Sequence, residues 1–149
     1  MSSDSLKIRP EGMSLGVSDL ERSVAFYRDV LGFQVEQHHG KAFALLRLGD
    51  FTLGLLSEPV LRTRGVPSIT RREERRNVEV EFTTDDLDAA YAALTARGLV
   101  FRGPIETRPW ERSAQADDPD GYTIEIAEGV RGRNRCPSSA TKPCEPANP

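Results

Sequence analysis

Cysteine, histidine and long apolar runs are all scarce in this chain. Its two cysteines, Cys136 and Cys144, have neither zinc-finger spacing nor partner histidines. Met1 to Pro10 contains no apolar core of a secretory signal, so both sulfurs are read as reduced thiols and the protein as cytoplasmic. No stretch approaches the roughly 20 apolar residues of a membrane span, so no membrane partner is expected. The net charge of -3 leaves no basic surplus for nucleic acid. Two adjacent histidines, His38 and His39, fall at the end of an expected hairpin, where a surface role is the natural reading. Glycine-rich phosphate loops and nucleophile-elbow spacings are also missing.

What the chain does contain is a repeat. Gly12-Met13-Ser14-Leu15-Gly16-Val17-Ser18-Asp19-Leu20 lies over Glu79-Val80-Glu81-Phe82-Thr83-Thr84-Asp85-Asp86-Leu87, and Phe51-Thr52-Leu53-Gly54-Leu55 over Tyr122-Thr123-Ile124-Glu125-Ile126. Apolar residues fall on apolar residues, as duplicated architecture requires. Two matched positions break the pattern: Gly12 meets Glu79, and Gly54 meets Glu125. That asymmetry places a candidate site in the second half.

Each half reads as β-α-β-β-β. Residues 12–17 alternate with period two, as a strand with one buried face does. Ser18 and Glu21 have capping-box spacing ahead of a helix reaching Leu31, striped by Leu20, Val24, Tyr27 and Leu31. Strands are expected over 33–38, 41–48 and 51–57. In the second half a strand ends at Thr83 and Asp85 is the expected cap of a helix striped by Leu87, Ala90, Tyr91 and Leu94. Strands follow near 99–102, 113–117 and 122–127, with a loop through Pro104 and Pro109 and a turn at Asp118-Pro119-Asp120-Gly121. Glu58 to Arg76, with six arginines and three glutamates, links the halves. Module one thus covers about 10–57, the linker 58–76 and module two 77–128 of a single domain. Residues 129–149 read as a disordered tail.

If each helix covers one sheet face, the opposite faces line a shared cleft. These carry Gly12, Ser14, Gly16, Thr52, Gly54 and Leu56 from one half, and Glu79, Glu81, Thr123, Glu125 and Ala127 from the other. Pairing of first and last strands would make Glu79 and Glu125 neighbours across the ladder, where like charges destabilise.

Val17-Ser18-Asp19-Leu20-Glu21-Arg22-Ser23, Phe26-Tyr27-Arg28-Asp29-Val30-Leu31-Gly32-Phe33 and Asp118-Pro119-Asp120-Gly121-Tyr122-Thr123-Ile124-Glu125 together resemble the vicinal oxygen chelate superfamily. Glyoxalase I, extradiol dioxygenases and the bleomycin-resistance proteins belong to it. The resemblance covers about 12–128 and implies an α+β fold, two βαβββ modules forming a curved eight-stranded mixed sheet around a cleft. It also implies four metal slots, at Gly12, Gly54, Glu79 and Glu125. With two slots held by glycine, it points to the members that sequester drugs without a full metal site, usually as homodimers. The expected ligand is a small cationic or aromatic molecule, such as an antibiotic. Glu79, Glu81, Glu125, Thr52 and Thr123 would line the site, Trp110 would stack over it and Arg112 would anchor an anionic group. The glycines would widen the other wall. The alternative is a lyase, isomerase or dioxygenase whose divalent metal is held by Glu79 and Glu125, with waters or substrate oxygens completing the shell.

Overall fold

The computed structural model describes residues 6–66 and 71–129. The expected tail, apart from Gly129, lies outside them. Alternating apolar residues build β1 (Gly12–Val17), and its inward side chains Leu15 and Val17 are buried. Helix α1 (Leu20–Ala25) continues as a π-helical turn over Phe26–Val30, and its stripe of Leu20, Val24, Tyr27 and Leu31 is buried. Three strands follow, β2 (Gln34–His39), β3 (Phe43–Leu48) and β4 (Phe51–Ser57). The second half repeats the order with β5 (Glu79–Thr83), α4 (Leu87–Ala96), β6 (Glu106–Arg108), β7 (Glu111–Asp117) and β8 (Thr123–Gly129). Between the halves lie two short helices, α2 (Glu58–Thr63) and α3 (Arg72–Arg75).

The eight strands form two four-stranded mixed sheets, ordered β1-β4-β3-β2 and β5-β8-β7-β6. In each, the first strand runs parallel to the last and the other pairs are antiparallel. Helix and sheet bury a common core that includes Leu46, Leu53, Leu55, Val80, Leu87, Ile124 and Ile126.

Several local expectations shift. Both helices begin one residue late. The Asp19 carboxylate, not Ser18, accepts from the Arg22 amide at 3.2 Å, and Asp86, not Asp85, accepts from the Ala89 amide at 3.0 Å. Ser18 lies just outside α1, and its amide donates to the Asp120 carboxylate at 3.2 Å. Near 99–102 only an isolated bridge, Phe101 to Ala116, forms. The edge strand comes later, at Glu106–Arg108, inside the segment expected as loop, because the tight turn at Pro109-Trp110 lets it fold straight back on β7. Gly129 completes β8 rather than opening a tail.

The two halves are clasped together through the Asp118–Tyr122 turn. Asp120, only 2% exposed, accepts hydrogen bonds from the Ser18 amide, the Ser23 hydroxyl and the Arg75 guanidinium. Tyr27 donates to Asp118 at 2.8 Å, and Tyr122 donates to the Gly16 carbonyl at 2.7 Å. Burial and the neighbouring carboxylate push the Tyr27 hydroxyl well above its ordinary value, so it stays a donor. Arg72 reaches the Pro119 carbonyl at 2.7 Å, which fastens the linker to the same turn.

Candidate functional site: an acidic sheet face

Parallel pairing of β5 with β8 sets the geometry. The register puts Glu79 opposite Thr123 and Glu81 opposite Glu125. The direct cross-strand pair is therefore Glu81 with Glu125, and Glu79 stands diagonal to Glu125. Module one has the same register, Gly12 opposite Thr52 and Ser14 opposite Gly54. Glu79, Glu81 and Glu125 converge, each offering a carboxylate oxygen within 4.8 Å of the others. Glu125 is buried at its base while Glu79 and Glu81 are exposed.

The adjacent β7 supplies a residue that the sequence reading missed. Gln115 lies opposite Glu125 and donates its side-chain amide to Oε2 at 2.9 Å. Its place follows from the Asp118–Gly121 turn: once Asp117 pairs with Thr123, counting two residues away from the turn on each strand brings Gln115 to Glu125. Arg102 also approaches the face, bonded to Asp117 and to the Thr123 hydroxyl. Burial, followed by the charges of Glu125 and Glu81, pushes the Glu79 carboxyl above its usual range, against the pull of Arg102. An added cation at this face would relieve that crowding.

The other expected site residues are placed differently. The Thr123 hydroxyl is buried and saturated, accepting from Arg102 at 3.0 Å and donating to the Arg76 carbonyl at 3.0 Å. Arg112 points to the helix side of the sheet, where it bonds Asp88 of α4 and Glu128. Strand alternation explains this: Arg112 is three residues from Gln115, hence on the opposite face. Trp110 sits in the β6–β7 turn, half exposed, five residues and roughly 17 Å along the strand from Gln115 at about 3.3 Å per residue. Thr52 lines a hollow of about 300 Å³ over Gly12 and Gly54, and its hydroxyl is buried without a hydrogen-bond partner among the described residues.

The glycines are there for close approach. A Cβ on Gly12 would lie 1.7 Å from the Thr52 carbonyl oxygen, and one on Gly54 would lie 2.4 Å from the Ser14 hydroxyl. No side chain fits at position 12 without parting β1 from β4. A four-ligand metal centre spanning both halves therefore does not fit this chain. What remains is three carboxylates on one sheet, an all-oxygen set suited to a hard divalent ion rather than to zinc or iron held by imidazole. His38 pairs with Glu21 at 2.9 Å and His39 stacks on Phe43, both on the exposed strand β2.

Paired βαβββ modules with first and last strands parallel, and an acidic face where those strands meet in the second module, define the class. The chain belongs to the glyoxalase/bleomycin resistance protein/dioxygenase superfamily, whose family model matches residues 12–126. A glyoxalase/bleomycin resistance protein/dioxygenase from Nocardioides shares 28% identity, with a TM-score of 0.74 over 87% of this chain and 89% of its own. TnmS3, an antibiotic-binding protein from Streptomyces sp. CB03234, shares 26% identity over 84% of this chain and 99% of its own, with a TM-score of 0.63. YraH, an uncharacterised protein of Bacillus subtilis strain 168, is 30% identical over 122 residues, covering 74% of this chain and 90% of the relative. No helix among the described residues is long and apolar enough to cross a membrane.

Proposed function

We infer that this protein binds a small cationic or aromatic organic molecule, with the Glu79, Glu81 and Glu125 carboxylates holding its positive charge. The observation that carries this reading is the convergence of three carboxylates on an open sheet face, one of them pushed towards protonation by burial and by the other two. Such crowding costs stability and is relieved by a bound cation. The likeness to an antibiotic-binding protein supports the same direction. Glu125, positioned by Gln115, forms the fixed base, and the exposed Glu79 and Glu81 adjust to the ligand.

Among the described residues, nothing closes either inner face. The hollow over Gly12 and Gly54 is lined only by first-half residues, and Glu79 and Glu81 are exposed. A homodimer in which the first-half face of one chain covers the acidic face of its partner would complete two equivalent clefts. The ligand would then span the Thr52 hollow of one copy and the glutamates of the other.

A second reading is favoured by the oxygen-only donor set: Glu79, Glu81 and Glu125 hold a divalent ion such as Mg²⁺ or Mn²⁺. When bound, that ion would polarise a substrate oxygen; the chain's own part is to position the three carboxylates, with Gln115 fixing Glu125. Metal analysis of chelator-free protein, with Mn²⁺ binding followed by electron paramagnetic resonance, separates the two. The binder reading expects no stoichiometric metal and unaltered uptake of cationic aromatic compounds in chelator. A stoichiometric ion lost in Glu125→Ala, together with ligand uptake abolished by chelator, would overturn it.

A further inference from the structure

Helix α1 and its π-helical turn carry two apolar rows, and the core takes only one of them whole. Leu20, Val24, Tyr27 and Leu31 are buried. Arg22, Ala25, Phe26, Asp29 and Val30, spaced as a second helical face, instead wall a groove of about 620 Å³. The opposite wall belongs to the second half, where Leu99, Val100 and Phe101 follow α4. Phe26, Val30 and Phe101 are only partly buried, and Val100 is 82% exposed although Leu99 beside it is buried. A largely apolar hollow of this size with a few charged groups is the usual form of a small-molecule pocket, and π-helical turns are frequent at functional sites.

The charges around this groove are unevenly matched. Each carboxylate on its walls already has a partner: Asp29 holds Arg28 at 2.7 Å, Asp117 is shared by Arg76 and Arg102, and Asp118 accepts from Tyr27 at 2.8 Å. Two wall guanidiniums have no carboxylate partner among the described residues. Arg72 reaches only the Pro119 and Asp118 carbonyls, which leave its charge unneutralised, and Arg22 stands exposed. We propose that this groove binds a small aromatic carboxylate, its ring against Phe26, Val30 and Val100 and its charge held by Arg22 and Arg72. Guanidinium forks match carboxylates, and the half-exposed apolar wall gives the ring surface to bury. With walls from both halves, the bound molecule would lie beside the Asp118–Tyr122 turn and add to the clasp between them. The groove is independent of the acidic face, which calls for a ligand of the opposite charge.

A titration of the full chain with naphthoate, followed by amide chemical shifts, tests the site, with naphthylmethylamine as a cation of similar shape. Saturable shifts should centre on Phe26, Val30, Val100 and Phe101 with naphthoate and be missing there with the amine. Arg22→Gln alters an exposed side chain and should weaken naphthoate at least about threefold, a usual value for one exposed charge contact. Val100→Asp sets a like charge beside the ring and should weaken it further. The double variant Glu79→Gln, Glu125→Gln should bind naphthoate as the natural chain does, so this site and the acidic face can fail separately. No saturable shift with millimolar naphthoate, shifts centred elsewhere or lost in that double variant, or equal binding of the amine would overturn the proposal. So would an affinity unaltered in both Arg22→Gln and Val100→Asp.

Discussion

Glu79 shows how a single residue reports on the site. Burial and two neighbouring carboxylates raise its protonation range in the folded state. The folded chain therefore holds more protons than the unfolded chain between the ordinary glutamate value and the raised one, and stability falls as pH rises through that window. Glu79→Gln removes the penalty. Because the side chain is exposed, the expected gain at pH 7 is only a few tenths of a kcal/mol. It should vanish below about pH 4, where glutamate is protonated in both states. Urea denaturation at the two pH values checks the sign; a variant less stable at neutral pH would show that a cation already offsets the repulsion. Glu79 and Glu125 are legible in the sequence from the repeat, and Glu81 from strand alternation on the same face. Gln115 is not, because its role depends on which β7 residue meets Glu125. Arg112 and Trp110 read as site residues because their types suit binding, yet strand alternation sends one to the helix side and a turn carries the other away.

At the level of elements, β1 is held to β4 so closely that Gly12 admits no Cβ. Gly12→Ala should destabilise by about 2 kcal/mol or more, the range of backbone-strain substitutions. Gly54→Ala should cost less, since the opposing atom is a serine hydroxyl that can rotate away. Thermal denaturation of the pair tests that order. Gly12→His, although it restores the ligand type of a metal slot, should unfold the strand pair rather than recruit zinc. Strand order and helix stripes are readable from periodicity because burial on one face imposes it. The caps are off by one because Ser18 and Asp19, like Asp85 and Asp86, are all competent caps. The sequence leaves the start open by one residue, and the structure puts the first helical residue at Leu20 and at Leu87. The edge strand β6 is obscured by Pro104 and Pro109 on either side of it.

Across the whole molecule, Asp120 joins the first helix, the linker and the last hairpin in one buried cluster. Asp120→Ala leaves the half-buried Arg75 without that carboxylate and the Ser18 amide and Ser23 hydroxyl without their acceptor, and should cost about 3 kcal/mol, near what removal of one partner of a buried pair costs. A cost below about 1 kcal/mol in urea would show that the halves are held together by other means. The clasp grips the halves on their helix side and leaves the inner faces open, which is the reason for expecting a dimer. Light scattering at micromolar concentration should give about twice the chain mass of 16.5 kDa. The central claim is that the second half's carboxylates hold a cationic ligand without a metal. Calorimetry with a panel of cationic aromatic compounds, in chelator, compares the natural chain with the double variant Glu79→Gln, Glu125→Gln. Loss of two desolvated charge contacts should weaken the tightest ligand at least about tenfold, each such contact being worth roughly 1 kcal/mol or more, with the fold intact by circular dichroism. Equal affinity in the two proteins would contradict the account.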